Sequence, residues 1–124
     1  MEKILFIEDE SNLQKTLGSA LGQEGYEVIS ALDGETGLRM AKEKKPDLIL
    51  LDLILPRLHG LEVLKKLKEE EETKNIPVIV LTNLEGLTEI EKAIELGATT
   101  YLVKAQYSLE EIITKIKKTL TDNH

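Results

Sequence analysis

The sequence predicts an α/β protein built on a five-stranded parallel sheet. Three observations carry that expectation. Apolar runs of strand length alternate with helix-like segments five times, the pattern of crossover βα units. Several of the intervening segments open on a helix-capping pair of residues. Four of the apolar runs stop at polar residues with chemical potential, Glu8 and Asp9, Asp52, Thr82 and Lys104. In a parallel sheet such residues gather at one edge, the carboxyl edge, where open α/β folds bind ligands.

In chain order, strands are expected near 3–8, 26–31, 47–52, 76–82 and 100–104. The first helix is marked by Ser11 and Gln14 in capping-box spacing and by Leu13, Leu17 and Leu21 on one stripe. The second begins after Asp33-Gly34, buries Leu38 and Ala41, and stops before Pro46, which disfavours a helical residue ahead of it. The third carries Leu61, Leu64 and Leu67 into Glu69-Glu70-Glu71-Glu72, a charge run that reads as a solvated helix end. The fourth has Thr88 and Glu91 as a cap, Ile90, Ala93 and Ile94 as a core face and Gly97 as a stop. The fifth pairs Ser108 with Glu111 and sets Leu109, Ile112, Ile113, Ile116 and Leu120 on its stripe. Residues 121–124 are expected to fray.

A length of 124 residues matches one domain, 1–124, able to bury a core. The net charge of −7 argues against direct nucleic-acid binding by this segment, because the phosphate backbone would be repelled. Without cysteine there is no disulfide framework and no thiolate zinc site. No apolar stretch approaches the roughly 20 residues that span a bilayer, and the N-terminus is unlike a secretion signal, so no membrane partner is expected and the expected setting is the cytoplasm. His59 and His124 are far apart and suggest no metal pair; His59 reads as a loop side chain. No Walker or dinucleotide glycine motif follows the first strand.

At the carboxyl edge, Glu8, Asp9 and Asp52 would concentrate negative charge. Two unit charges about 4 Å apart repel by roughly 4 kcal/mol at an effective dielectric of 20. A hard divalent cation, Mg²⁺, suits such a carboxylate set and keeps positions open for a phosphate oxygen. For the pair Glu8-Asp9 alone, capping of the first helix is an equal reading. A carboxylate also attacks phosphorus to form an acyl phosphate, chemistry that needs charge neutralisation and positioning. Asp52 fits that role, with the metal and Lys104 on two phosphoryl oxygens and the Thr82 hydroxyl on a third.

The acidic pair Glu8-Asp9, the block Asp52-x-x-x-Pro56-x-x-x-Gly60, Thr82 at the end of the fourth strand, Gly97-Ala98 before Tyr101, and Lys104 together resemble the receiver domain of bacterial two-component response regulators, over Lys3 to Leu120. The resemblance implies a doubly wound, flavodoxin-like (βα)5 fold with strand order 2-1-3-4-5. It implies phosphorylation of Asp52 by the phosphohistidine of a sensor histidine kinase or phosphotransfer protein. Mg²⁺ would be held by Glu8 or Asp9, Asp52 and the backbone carbonyl of Ile54. Thr82 and Tyr101 would act as the switch, reshaping the surface of the fourth helix, fifth strand and fifth helix for a downstream protein or an output domain outside these residues. Tyr101 reads equally, on its own, as a core aromatic with its hydroxyl at the surface.

The chain departs from that family pattern at Ala105, where proline after a cis peptide bond is usual. A cis bond to alanine costs about 2.5–4 kcal/mol, so either the site tolerates the strain or Lys104 sits differently. Asn83 follows Thr82 where a small residue is common, and Thr99-Thr100 replace two acids used in dimer salt bridges by one subfamily. The leading expectation is a phosphorylation-controlled switch that assists its own phosphotransfer without being a turnover enzyme. The alternatives are a phosphorylation-independent interaction module of the same fold and a flavin enzyme, the latter weakened by sparse aromatics.

Overall fold

The computed structural model describes residues 1–123. Strands and helices alternate: β1 Lys3–Ile7, α1 Ser11–Gln23, β2 Glu27–Ala31, α2 Gly34–Lys44, β3 Leu48–Leu51, α3 Gly60–Glu69, β4 Val78–Thr82, α4 Leu87–Glu95, β5 Thr100–Val103 and α5 Leu109–Asp122. A short 3-10 turn, Lys104–Gln106, follows β5. The sheet has the order β2-β1-β3-β4-β5, and every pairing is parallel. This is the doubly wound order expected, with its reversal point between β1 and β3.

Because helices cover both faces, the inner strands read as unbroken apolar runs rather than alternating ones. Leu5, Ile7, Ile49, Leu51, Val78 and Val80 face a core closed by Val63, Leu64 and Leu67 of α3, with Ala41 of α2 and Ala93 of α4. Ile4, Phe6, Leu48, Leu50, Ile79 and Leu81 face the other, closed by Leu17 and Leu21 of α1 and Ile112, Ile116 and Leu120 of α5. Helix α2 comes close enough to β1 that a Cβ on Gly37 would stand 2.5 Å from Ile7 Cδ1. Registers Ile7 with Ala31, Ile7 with Leu51, Leu51 with Val80 and Thr82 with Val103 bring the carboxyl ends of all five strands to one edge.

Strand ends are shorter than the apolar runs suggested. Ile76 and Pro77 stay outside β4, since proline has no N–H to give the ladder, although its carbonyl accepts from Ile49 N at 3.0 Å. Asp47 precedes β3 and uses its side chain, accepting from Lys3 N at 2.7 Å. The Ser108–Glu111 capping box forms at 3.1 and 2.9 Å. The other two caps do not. Helix α1 has Glu10 as its N-cap with no side-chain bond, because Gln14 turns inward. Helix α4 has Gly86 as its N-cap, leaving Thr88 inside the first turn. Its Ile94 is 49% exposed, since α4 lies over the sheet margin and buries Ala93 alone completely. His59 is the N-cap of α3, its Nδ1 accepting from Leu61 N at 3.1 Å. The acidic run is a solvated end as expected, with Glu70 paired to Lys42 and Glu71 to Lys74. Thr121 and Asp122 belong to α5 rather than to a frayed tail, Asn123 is its C-cap, and His124 lies outside the described residues.

Helix α2 ends where Pro46 forbids another helical residue, and Lys45 adopts the left-handed conformation, with φ 47°. That region costs a side-chain-bearing residue about 1–2 kcal/mol, and glycine relieves it at some entropic expense. Lys45→Gly is therefore expected to raise stability by about 0.5–1 kcal/mol, read as a higher urea midpoint with unchanged slope.

Candidate functional site

The site is assembled by main-chain bonds at the ends of neighbouring strands. Glu8 N donates to Ala31 O at 2.9 Å, and Asp52 N donates to Ile7 O at 3.0 Å. These rungs place Glu8 and Asp52 side by side, one residue past β1 and β3. Across the edge, Thr82 closes β4 and Lys104 follows β5. Glu8 and Thr82 are fully buried and Asp52 is 5% exposed, whereas Asp9 is exposed. Carboxylate oxygens of Glu8, Asp9 and Asp52 lie within 4.8 Å of one another.

Lys104 reaches into this group. Its Nζ stands 2.6 Å from Glu8 Oε1 and 3.2 Å from Asp52 Oδ2. The described residues contain no cis peptide bond, so the lysine arrives on a trans link to Ala105, carried by the 3-10 turn. The remaining oxygens are held by main chain: Asp52 Oδ1 accepts from Ile54 N at 3.3 Å, and Glu8 Oε2 accepts from Glu10 N at 3.1 Å. Glu8 Oε1 is buried with an ion pair but no aligned hydrogen bond. Burial, and after it the charge of Asp52, raises the Glu8 carboxyl to about 7 against the pull of Lys104. Burial alone would lower Lys104; Glu8 and Asp52 together hold it above the usual lysine value.

Three convergent carboxylates, one of them with a poorly satisfied buried oxygen, fit a hard divalent cation. The carboxylate oxygens converge within 4.8 Å of one another, and the exposed side at Asp9 leaves room for water. Glu8, Asp9 and Asp52 would supply the side-chain oxygens.

Thr82 and Tyr101 meet on one residue. Leu84 N donates to Thr82 Oγ1 at 3.5 Å, and the Tyr101 hydroxyl donates to Leu84 O at 2.8 Å. Tyr101 is half-buried against the α3 and α4 side of the core, and burial raises its hydroxyl pKa. Tyr101 packs as the core aromatic of one sequence reading, while its hydroxyl ties the β4–α4 loop. Asn83 and Ala105 are exposed.

The structure adds the reason for Gly60, which the sequence marked only by its spacing, and a contact of Gln14 that the sequence did not suggest. Gly60 packs so tightly that a Cβ would run into the carbonyl oxygen of Asp52 and Cα of Leu53, which explains the glycine four residues after Pro56. The buried Gln14 amide donates to the carbonyls of Phe6 and Glu8 at 2.9 and 3.0 Å, beneath the acidic pair. A groove of about 470 Å³ between α2 and α3, lined by Glu35, Leu38 and Lys66 among others, includes none of the five edge residues.

The family model described as the response regulator receiver domain matches residues 4–117. The chain is 38% identical over 119 residues to the alkaline phosphatase synthesis transcriptional regulatory protein PhoP of Bacillus subtilis, covering 96% of this chain and 48% of that protein. It is 36% identical to sporulation initiation phosphotransferase F of the same organism, covering 96% of this chain and 94% of that protein. The chain spans about half the length of the transcriptional regulators among its curated relatives. Among solved structures, the receiver domain of sensor histidine kinase PA1611 from Pseudomonas aeruginosa superposes with a TM-score of 0.87 at 27% identity, covering 97% of this chain and 98% of that one. That structure has a magnesium ion coordinated in its active site cleft.

The elevated Glu8 value has a signed consequence for the metal-free protein. A carboxyl whose folded pKa lies above its unfolded one binds its proton more tightly when folded, so its favourable contribution is present at low pH and is lost as pH rises from about 4.5 to about 7. In EDTA, Glu8→Gln, which never ionises, should gain in urea midpoint relative to the wild type as pH rises through that interval. A constant difference between the two would contradict the buried, elevated carboxyl.

Proposed function

The chain belongs to the response regulator receiver domain family, and from that membership we propose that it is the phosphoacceptor of a two-component system or phosphorelay, with Asp52 as the residue modified. The supporting observation is the placement of the Lys104 ammonium between Glu8 and Asp52, with Asp9 at the open side.

The donor in this reading is a phosphohistidine on a sensor histidine kinase or phosphotransfer protein. An ionised oxygen of Asp52 attacks phosphorus, the new O–P bond forms as the P–N bond breaks, and the imidazole leaves with the electron pair and takes up a proton. Lys104 is already 3.2 Å from Asp52 Oδ2 and needs little movement to follow charge onto a phosphoryl oxygen. The Thr82 hydroxyl hydrogen is free to donate to another, because the Leu84 contact uses its oxygen only as an acceptor. Glu8, Asp9, Asp52 and the Ile54 carbonyl would hold Mg²⁺, which when bound would supply the charge neutralisation that a dianionic phosphoryl group needs beside three carboxylates.

Movement of Thr82 changes what the β4–α4 loop can bond. Leu84 joins Thr82 to Tyr101, so the loop, α4 and the exposed face of β5 are the segments through which phosphorylation is read by a downstream protein or an attached output domain. In this reading the domain acts in the cytoplasm and turns over no external substrate. Family members act as signalling proteins, and the switch is the product.

Incubation with Mg²⁺ and acetyl phosphate should add one phosphoryl group by intact mass, and Asp52→Asn should abolish the gain. Lys104→Met should slow the reaction by about 100-fold, measured at a Mg²⁺ concentration and temperature where circular dichroism shows the variant folded. An undiminished gain in Asp52→Asn would overturn the assignment. If Mg²⁺ binds but beryllofluoride leaves the amide spectrum unchanged, the phosphorylation-independent interaction module replaces the switch.

A further inference from the structure

The α1 stripe has an interruption. Gln14, Leu17 and Leu21 are its buried residues, and an apolar side chain at 14 would continue the pattern. Instead a glutamine sits there, 8% exposed. A buried amide persists where its donors and acceptor are used, and all of Gln14's partners lie at the carboxyl ends of β1 and β2. Nε2 donates to Phe6 O at 2.9 Å, Glu8 O at 3.0 Å and, more weakly, Ala31 O at 3.3 Å, while Oε1 accepts from Ser30 Oγ at 2.8 Å.

The sheet explains why an amide is needed. Glu8 N already takes Ala31 O. In a parallel ladder the Glu8 carbonyl would then accept from the N–H two residues further along β2, that of Asp33. β2 has ended at Ala31, however, and Asp33 has become the N-cap of α2. The rung is missing, and Gln14 fills it from the first turn of α1. We infer that Gln14 is a positioning residue for the acidic pair, replacing the absent rung so that Glu8 and Asp9 leave β1 in a fixed direction toward Asp52 and the cation. Ser30, by engaging the amide oxygen, sets which end of the amide faces the carbonyls. The β1–α1 connection is only Glu8, Asp9 and Glu10 long, and the main-chain N–H of Gln14 closes the first helical bond onto Glu10 O at 3.0 Å.

The inference rests on the magnesium and phosphoryl reading of the edge, and the experiment separates the two. Mg²⁺ affinity is measured from amide chemical shifts for wild type, Gln14→Met, Ser30→Ala and Leu120→Ala. Methionine keeps the length and volume of glutamine without its N–H groups. Leu120→Ala is a destabilised control at the opposite edge of the sheet. Gln14→Met should weaken Mg²⁺ binding by about 10-fold, as outer partners of metal ligands do, with Ser30→Ala showing a smaller loss and Leu120→Ala none. In the metal-free protein, hydrogen exchange at the Glu10 amide, which bonds Glu8 Oε2 at 3.1 Å, should accelerate in Gln14→Met and not in the control. If wild type fails to bind Mg²⁺, the site reading and this inference fall together. If wild type and Gln14→Met bind equally and Glu10 exchange is unchanged, Gln14's role alone is overturned. Should Gln14→Met fail to fold, an affinity for Ser30→Ala equal to wild type overturns it as well.

Discussion

One lysine ammonium held against two buried carboxylates governs the organisation of this molecule. Burying Glu8 and Asp52 at adjacent strand ends is costly, and burying either without a partner would cost several kcal/mol. Lys104 offsets the cost for both at once, yet a single positive charge does not balance three acids once Asp9 is counted. The Glu8 carboxyl is raised to about 7, chiefly by burial and to a lesser degree by the charge of Asp52. Protonation of Glu8 and binding of a divalent cation are alternative ways of relieving the same unbalanced charge.

The rest of the fold keeps these groups in reach. Flush strand registers bring the ends of β1, β3, β4 and β5 to a common edge, and the loop after Asp52 is clamped on both sides. Gly34 N donates to Pro56 O at 3.3 Å and Gly60 N to Leu53 O at 2.9 Å. At Gly34 a Cβ would run into the Leu58 carbonyl. Between these contacts Arg57 takes a positive φ of 71°, a conformation that the two clamps impose on a residue with a side chain. A tight loop of this kind leaves the aspartate little freedom, which suits the nucleophilic role proposed for it.

The sheet, its helices and the identity of the edge residues were legible because each rests on a long pattern or on a strand terminus. Leu48 to Leu51 announces β3 by composition, and Asp52 stands out by ending it. Ser108 with Glu111 formed the expected capping box because α5 begins in solvent, where the box has no competitor. The same spacing misled at Ser11 and Gln14. There the glutamine lies over the end of β1, and the carbonyls there, that of Glu8 lacking its sheet rung, outbid the helix terminus for its amide. Thr88 misled for a related reason: the loop from Thr82 already orients α4, and Gly86 serves as the N-cap. Lys104 was the hardest to place from sequence, since the missing proline bears on the backbone after it. The long side chain spans the distance from a trans link.

The connection from site to surface passes through a single peptide neighbourhood whose two hydrogen bonds are unequal. Leu84 N reaches Thr82 Oγ1 at the long limit of 3.5 Å, whereas Tyr101 holds Leu84 O at 2.8 Å. The loop is therefore anchored firmly by the tyrosine and only loosely by the threonine. In the proposed switch, a threonine so weakly engaged would turn its hydroxyl toward new negative charge at Asp52 without first breaking a strong bond. The tyrosine, by contrast, moves only if the loop carrying Leu84 moves with it. Beyond that loop α4 displays Leu87 at 69% and Ile94 at 49% exposure, apolar groups whose setting depends on where the loop delivers the helix. For the switch proposed above, this asymmetry would give the coupling a direction, from a weakly engaged hydroxyl at the edge to a firmly held loop and then to an apolar helix face.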